Sequence, residues 1–223
     1  MSFMFNSHTH IVDTVPCLWD VGASELQPQY PEGVHLSVGL HPWKVDASWR
    51  ETMARIRVEA ERADVWAIGE CGLDKVRGVA LPVQVEAFRA QITIAEEVGK
   101  PVVVHCVKAF DELLSLRREV VAACRAKGSV LPQPWIIHGF RGNPEQAKQL
   151  MAKGLFLSFG HRYQIETLRF VFTSSRPFFL ETDDSPLSVR QIYEQVARHL
   201  DVDVCLLESL CDPRKDVFRQ MAF

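Results

Sequence analysis

Residues 101–111 read Pro101-Val102-Val103-Val104-His105-Cys106-Val107-Lys108-Ala109-Phe110-Asp111. The three consecutive valines make a short strand with no polar face, and such a strand belongs in a sheet covered by helices on both sides. The stretch from Asp111 to Ala126 that follows has helical spacing. A strand, a histidine at its end and then a helix form one unit of a parallel α/β fold.

The same signature recurs along the chain. Apolar runs at Phe3 to Phe5, His35 to Leu40, Trp66 to Ile68, Trp135 to Ile137, Leu155 to Leu157 and Phe178 to Leu180 bring the strand signals to seven. Helical spacing marks Ala47 to Arg62, Val83 to Val98, Pro144 to Lys153, Ile165 to Phe172 and Val189 to His199. Asn143-Pro144-Glu145 is a helix start, with a capping amide, a proline in the first turn and an early carboxylate; Lys153-Gly154 marks its stop. Ile11 to Val34, with three prolines and two glycines, reads as an irregular connection. The expectation is one α/β domain over residues 1–223, a TIM-like β/α barrel distorted to about seven strands.

Composition narrows the class of function. The 223 residues are 47% hydrophobic and 24% charged, an ordinary globular balance. No window approaches the roughly 18 uninterrupted apolar residues of a membrane helix, and the N-terminal residues lack the pattern of a secretory signal. A cytoplasmic protein with no membrane partner is expected, and nothing implies a protein partner. The six cysteines form no C-x-x-C pair and read as reduced thiols. With 25 basic against 28 acidic residues the net charge is −3, so any polyanion must be held by something local.

Nearly all the metal-capable side chains follow a strand signal. His8 and His10 follow the first, Glu70 the third, His105 the fourth, His138 the fifth and Asp183 the seventh. In a β/α barrel the C-terminal strand ends open on one face, where residues distant in sequence converge. His8 and His10, two apart, should point the same way. Taken singly, each has a plain structural explanation; taken together, four imidazoles and two carboxylates exceed what one tetrahedral ion needs, which points to two divalent ions. Nitrogen-rich ligation favours zinc, manganese or a similar metal, with magnesium the oxygen-preferring alternative.

At these residues the sequence resembles the TatD family of metal-dependent hydrolases. The stretches are His8-Thr9-His10, Gly39-Leu40-His41-Pro42, Gly69-Glu70-Cys71-Gly72-Leu73-Asp74, Lys100-Pro101-Val102-Val103-Val104-His105, Ile137-His138-Gly139-Phe140 and Glu181-Thr182-Asp183-Asp184-Ser185-Pro186. The resemblance implies a distorted β/α barrel, a divalent metal site and phosphodiester hydrolysis on DNA. By it, His8, His10 and Asp183 hold one ion, His105 and His138 the other, and Glu70 bridges them. Asp183 would also orient the attacking water and accept its proton.

Two positions depart from the family. Asn6 stands where an aspartate is usual, and Val107 where an arginine often follows the first histidine of the second ion. Lys108 and Arg141 are the candidates to hold the phosphate instead. His41 is either a turn residue or a contact to the site, His161 a possible substrate contact, and Asp74 a residue that pins its loop. Cys71 and Cys106 should point away from the ligands, and His35 and His199 read as structural or surface residues. Two other functions stay open: a metallohydrolase acting on a small ester, amide or phosphoester or an ester linked to RNA, and a metal-supported barrel without turnover.

Overall fold

The protein is described by a computed structural model over residues 4–12, 16–23, 25–126, 128, 131–215 and 217. Its strands are β1 (Asn6–Thr9), β2 (Cys17–Gly22), β3 (Val34–Gly39), β4 (Val65–Asp74), β5 (Val102–Val107), β6 (Trp135–Ile137), β7 (Leu155–Phe159) and β8 (Phe178–Leu180). They lie in chain order in one sheet. The pairs β1 with β2, β4 with β5 and β7 with β8 are parallel. A parallel bridge joins Thr9 to Asp183, where the Asp183 amide donates to the His8 carbonyl at 3.0 Å and the His10 amide to the Asp183 carbonyl at 3.4 Å. The first strand thus meets the segment after the last, as a β/α barrel requires.

The helices are α1 (Trp49–Glu59), α2 (Leu81–Val98), α3 (Phe110–Ala126), α4 (Pro144–Ala152), α5 (Ile165–Thr173), α6 (Val189–Leu200) and α7 (Val204–Leu210), with a 3₁₀ turn at Pro42–Lys44. Asn143 caps α4, its side chain accepting from the Gln146 amide at 2.9 Å. Ser188 and Gln191 form a reciprocal capping box on α6. No helix among the described residues is long and apolar enough to cross a membrane.

The strand count is corrected from about seven to eight. The additional strand, β2, lies inside the stretch expected to be an irregular connection. Its Asp20 interrupts the apolar run Cys17-Leu18-Trp19, so periodicity alone does not reveal it; pairing Asn6 with Cys17 and Thr9 with Trp19 does. What is missing from the front of the chain is the covering helices: none occurs among the described residues between β1 and β3. The first strand is also displaced toward polar residues. Phe3 lies outside the described residues, and β1 consists of Asn6, Ser7, His8 and Thr9, all buried. Ser7 Oγ lies 2.8 Å from Ser158 Oγ and donates to the Leu180 carbonyl at 3.0 Å, so its burial is compensated.

Contacts divide the chain into two compact units. The first comprises Met1–Asp20, Gln27–Leu36 and Ile136–Phe223, and the second Val21–Leu26 and Ser37–Trp135. In the first, Phe140, Phe178 and Tyr163 pack edge to face around Phe159 at ring separations of 6.0 to 6.2 Å. In the second, Trp135 packs on Phe88 at 5.5 Å, with the Arg117 guanidinium 4.9 Å from its ring centre.

Candidate metal centre

In the first unit the strand ends bring His8, His10 and Asp183 together. Asp183 Oδ1 lies 3.9 Å from His8 Nε2 and 3.5 Å from His10 Nε2. Both imidazoles, two apart at the end of β1, therefore turn toward the same carboxylate, as alternation requires. Asp183 has a left-handed backbone (φ 54°), a conformation aspartate tolerates better than most residues. Its amide and carbonyl are both engaged with β1, which fixes where its carboxylate starts.

His138, after β6, packs on His8 with ring centres 4.5 Å apart. Its Nδ1 is 3.4 Å from Oε1 of Glu181, a fully buried carboxylate that also accepts the Gly139 amide at 2.6 Å. Burial pushes the Glu181 carboxyl up, but the hydrogen bond and charge of His138, the charge of His8 and the Ser158 hydroxyl outweigh it and hold the group below its ordinary range. Glu181 did not stand out in the sequence. The signal that could have found it is its place two residues before Asp183, on the same side of an extended segment.

Asn6 is a pairing residue. Its Nδ2 donates to Thr182 Oγ1 at 2.8 Å while its Oδ1 accepts the Thr182 amide at 3.0 Å. Thr182 Oγ1 donates onward to Thr9 Oγ1 at 2.9 Å, which donates to the Ile11 carbonyl at 2.7 Å. An amide supplies both the donor and the acceptor here; a carboxylate would supply acceptors alone.

In the second unit Glu70 Oε1, His105 Nδ1 and His41 Nε2 form a tight triangle. Glu70 Oε1 is 2.7 Å from His105 Nδ1 and 3.1 Å from His41 Nε2, and the two ring nitrogens are 3.2 Å apart. His41 combines the two readings left open for it: its Nδ1 caps the turn at Pro42 by accepting the Trp43 amide at 3.1 Å, and its Nε2 joins the triangle. The other ring nitrogen of His105, Nε2, lies 3.3 Å from Asp74 Oδ2. Gly72 permits this packing, since a Cβ there (φ 146°) would collide with the His105 carbonyl.

Asp74 pins its loop as expected. Its Oδ1 accepts the Val76 and Arg77 amides at 2.7 and 3.1 Å, and its Oδ2 accepts Trp43 Nε1 at 2.6 Å. Burial raises its pKa, but the hydrogen bonds from Trp43, Val76, His105 and Arg77 outweigh that and lower it.

The donor sets fit divalent ions. Each of the two triads brings three candidate atoms within 4.8 Å of one another; in the second, Nδ1 of His41 accepts the Trp43 amide, so its Nε2 carries the N–H and the metal donors there are Glu70 and His105. Ligands bound at about 2.0 to 2.2 Å around a tetrahedral ion sit roughly 3.3 to 3.6 Å apart, near the 3.5 and 3.9 Å found around Asp183. His105 has a carboxylate oxygen near each of its ring nitrogens, whereas a neutral imidazole has one N–H. An N–H on Nε2 directed at Asp74 leaves the Nδ1 lone pair for a cation, the usual carboxylate–histidine–metal arrangement.

Of the substrate candidates, Lys108 follows β5 with a left-handed backbone (φ 54°) and an exposed side chain. Arg141 lines a small recess with His161, Arg162, Thr182 and Asp183, so it shares a wall with a proposed ligand. Cys71 is buried with its Sγ 3.7 Å from the Val103 carbonyl, and burial pushes the Cys106 thiol up to about 12. His199 accepts or donates at 2.8 Å with the Tyr163 hydroxyl.

The family model described as "TatD related DNase" matches residues 7–209. The chain is 34% identical over 134 residues to the 3'-5' ssDNA/RNA exonuclease TatD of Cronobacter sakazakii, an alignment covering 56% of this chain and 45% of that protein. It is 34% identical over 137 residues to the protein so named from Yersinia pseudotuberculosis, covering 60% and 49%. The chain spans about half the length of the curated relatives it matches. Its fold matches the crystal structure of YJJV, a TatD homologue from Escherichia coli K12, with a TM-score of 0.69 at 17% identity over 97% of this chain and 98% of that one. A TatD family hydrolase from Entamoeba histolytica matches with a TM-score of 0.65 at 17% identity, covering 92% and 82%.

Proposed function

This chain belongs to the TatD related DNase family, and from that membership we propose that it is a metal-dependent nuclease that hydrolyses phosphodiester bonds of single-stranded nucleic acid. The names of the relatives, 3'-5' ssDNA/RNA exonucleases, supply the strand and end preference of the proposal. The observation that carries it is the placing of His8, His10 and Asp183 around one point, at spacings that suit a single divalent ion.

His8, His10, Glu70, His105, His138 and Asp183 are the proposed ligands, for two ions in all, zinc, manganese or magnesium. Bound divalent ions would supply a Lewis acid for the phosphoryl oxygens and a water acidified toward neutral pH. Asp183, half-buried and anchored at its backbone, would orient the attacking water and accept its proton on a carboxylate oxygen. Glu70 would serve as a ligand alongside His105 and would accept the Nε2–H of His41 on Oε1. Arg141, in the recess beside Asp183, and Lys108 would hold the phosphate. The six cysteines are all free thiols, which fits the proposed cytoplasmic location.

Purified protein with manganese or magnesium should release nucleotides from a single-stranded oligomer and stop when chelator is added. Asp183→Asn should lower turnover by roughly a hundredfold or more, the scale on which proton transfer contributes. Full activity in that variant would remove Asp183 from the mechanism, and turnover of amides or lactones but no phosphodiester would favour a small-molecule hydrolase.

A further inference from the structure

Trp43 is the one aromatic residue among the exposed large apolar side chains of the described residues, with 43% of its surface open. Indole exposed to water on a disordered surface would mean little, but this one is held by defined neighbours while 43% of it stays open. Its Nε1 donates to Asp74 Oδ2, its ring stands at 74° to that of His41 with centres 4.7 Å apart, and the Arg77 guanidinium carbon lies 4.0 Å from its centre. Trp43 is therefore linked through Asp74 to His105, a proposed metal ligand.

The loop carrying Arg77 is built to reach it. Gly78 (φ 97°) comes so close to Pro42 that a Cβ would lie 2.8 Å from the Pro42 carbonyl oxygen. Gln84, buried on α2, donates through Nε2 to the carbonyls of Asp74, Arg77 and Val79 and accepts the Asp74 amide at 2.7 Å. The loop is thereby tied at both ends. Val76, 65% exposed, and the exposed cation Lys44 lie beside this pair in sequence, as does Lys75, whose Nζ pairs with Glu112 at 2.8 Å.

An exposed, rigid aromatic ring flanked by cations is what a single strand of nucleic acid uses: bases stack on the ring while phosphates follow the positive charge. We propose that Trp43, with Arg77 stacked upon it, is a base-stacking platform that binds a nucleobase of the single-stranded substrate next to the scissile phosphate. This rests on the reading of the chain as a nuclease for single strands. The platform reads no sequence, because every base has a π-face; it supplies affinity and registers the strand.

The test is equilibrium binding by fluorescence anisotropy, with full-length protein and manganese. Two phosphorothioate-linked oligomers of equal length resist cleavage: one of thymidines, the other of abasic sugar units. Trp43→Ala should weaken binding of the thymidine oligomer by roughly 5- to 150-fold, the range that one stacked base is worth, and that of the abasic oligomer by less than about 2-fold. Trp43→Phe, which keeps a stacking face but loses the bond to Asp74, should retain most of the difference between the two oligomers. Equal losses on both oligomers, or no loss on either, would overturn the platform and leave the nuclease reading standing. Failure of the wild type to cleave an ordinary single-stranded oligomer would strike that reading separately.

Discussion

Asn6 and Thr182 are joined by two antiparallel hydrogen bonds, amide to hydroxyl at 2.8 Å and backbone amide to side-chain carbonyl at 3.0 Å. The pair ties β1 to the residue just before Asp183. Removing the amide in Asn6→Ala leaves a buried backbone N–H and the Thr182 hydroxyl short of a partner, so a loss of about 1 to 3 kcal/mol is expected. Urea denaturation checks it, and a lowered midpoint with unchanged slope is the expected form.

Metal binding should register as stability. Ions held by the native ligand sets and not by the unfolded chain raise stability by RT ln(1 + [L]/Kd), about 2.7 kcal/mol at a hundred times Kd. Thermal scans across a manganese titration should show a rising Tm that chelator reverses. Asp183→Asn should remove much of the rise attributable to its set.

Gln84→Leu tests the loop tether. Four hydrogen bonds to residues 74, 77 and 79 disappear with it. Faster amide exchange confined to residues 75–79 is the expected result, with global stability lowered by about 1 to 3 kcal/mol.

His35 should give stability a pH dependence of known sign. Burial first, and then the positive charge of Arg214, lower its pKa from 6.5 to about 4. Between those values the unfolded chain takes up a proton that the folded protein refuses. The resulting penalty is absent above pH 6.5, grows as pH falls toward 4 and is constant below that. His35→Gln should flatten this part of the curve, measured as the denaturation midpoint between pH 4 and 7.

The site could be read in the sequence to the extent that its chemistry follows strands. The apolar runs before Glu70, His105 and His138 mark β4, β5 and β6, and the ligand that follows each is a consequence of barrel geometry. His8 is legible for a different reason, its spacing from His10, because β1 itself is polar and is held by cross-strand hydrogen bonds that periodicity cannot register. β2 escaped for the same reason as β1's true position: its strand character comes from its neighbour. Trp43 has no distinguishing pattern at all, and Glu181 has only its place two residues before Asp183. Trp43 is marked by exposure in a rigid setting and Glu181 by complete burial, and both properties arise when the chain is folded.

Asp183 engages β1 through its own amide and carbonyl and also presents its carboxylate to His8 and His10. The buried contacts that surround this junction span 173 to 176 residues of chain. Contacts of such long range carry the largest loop-closure cost and reward the chain only when most of the sheet is in place. Ion affinity at this triad is therefore a gauge of finished folding: a chain whose last strand has not docked on its first has two histidines but no third ligand, and the first unit acquires its full set in the act of closing.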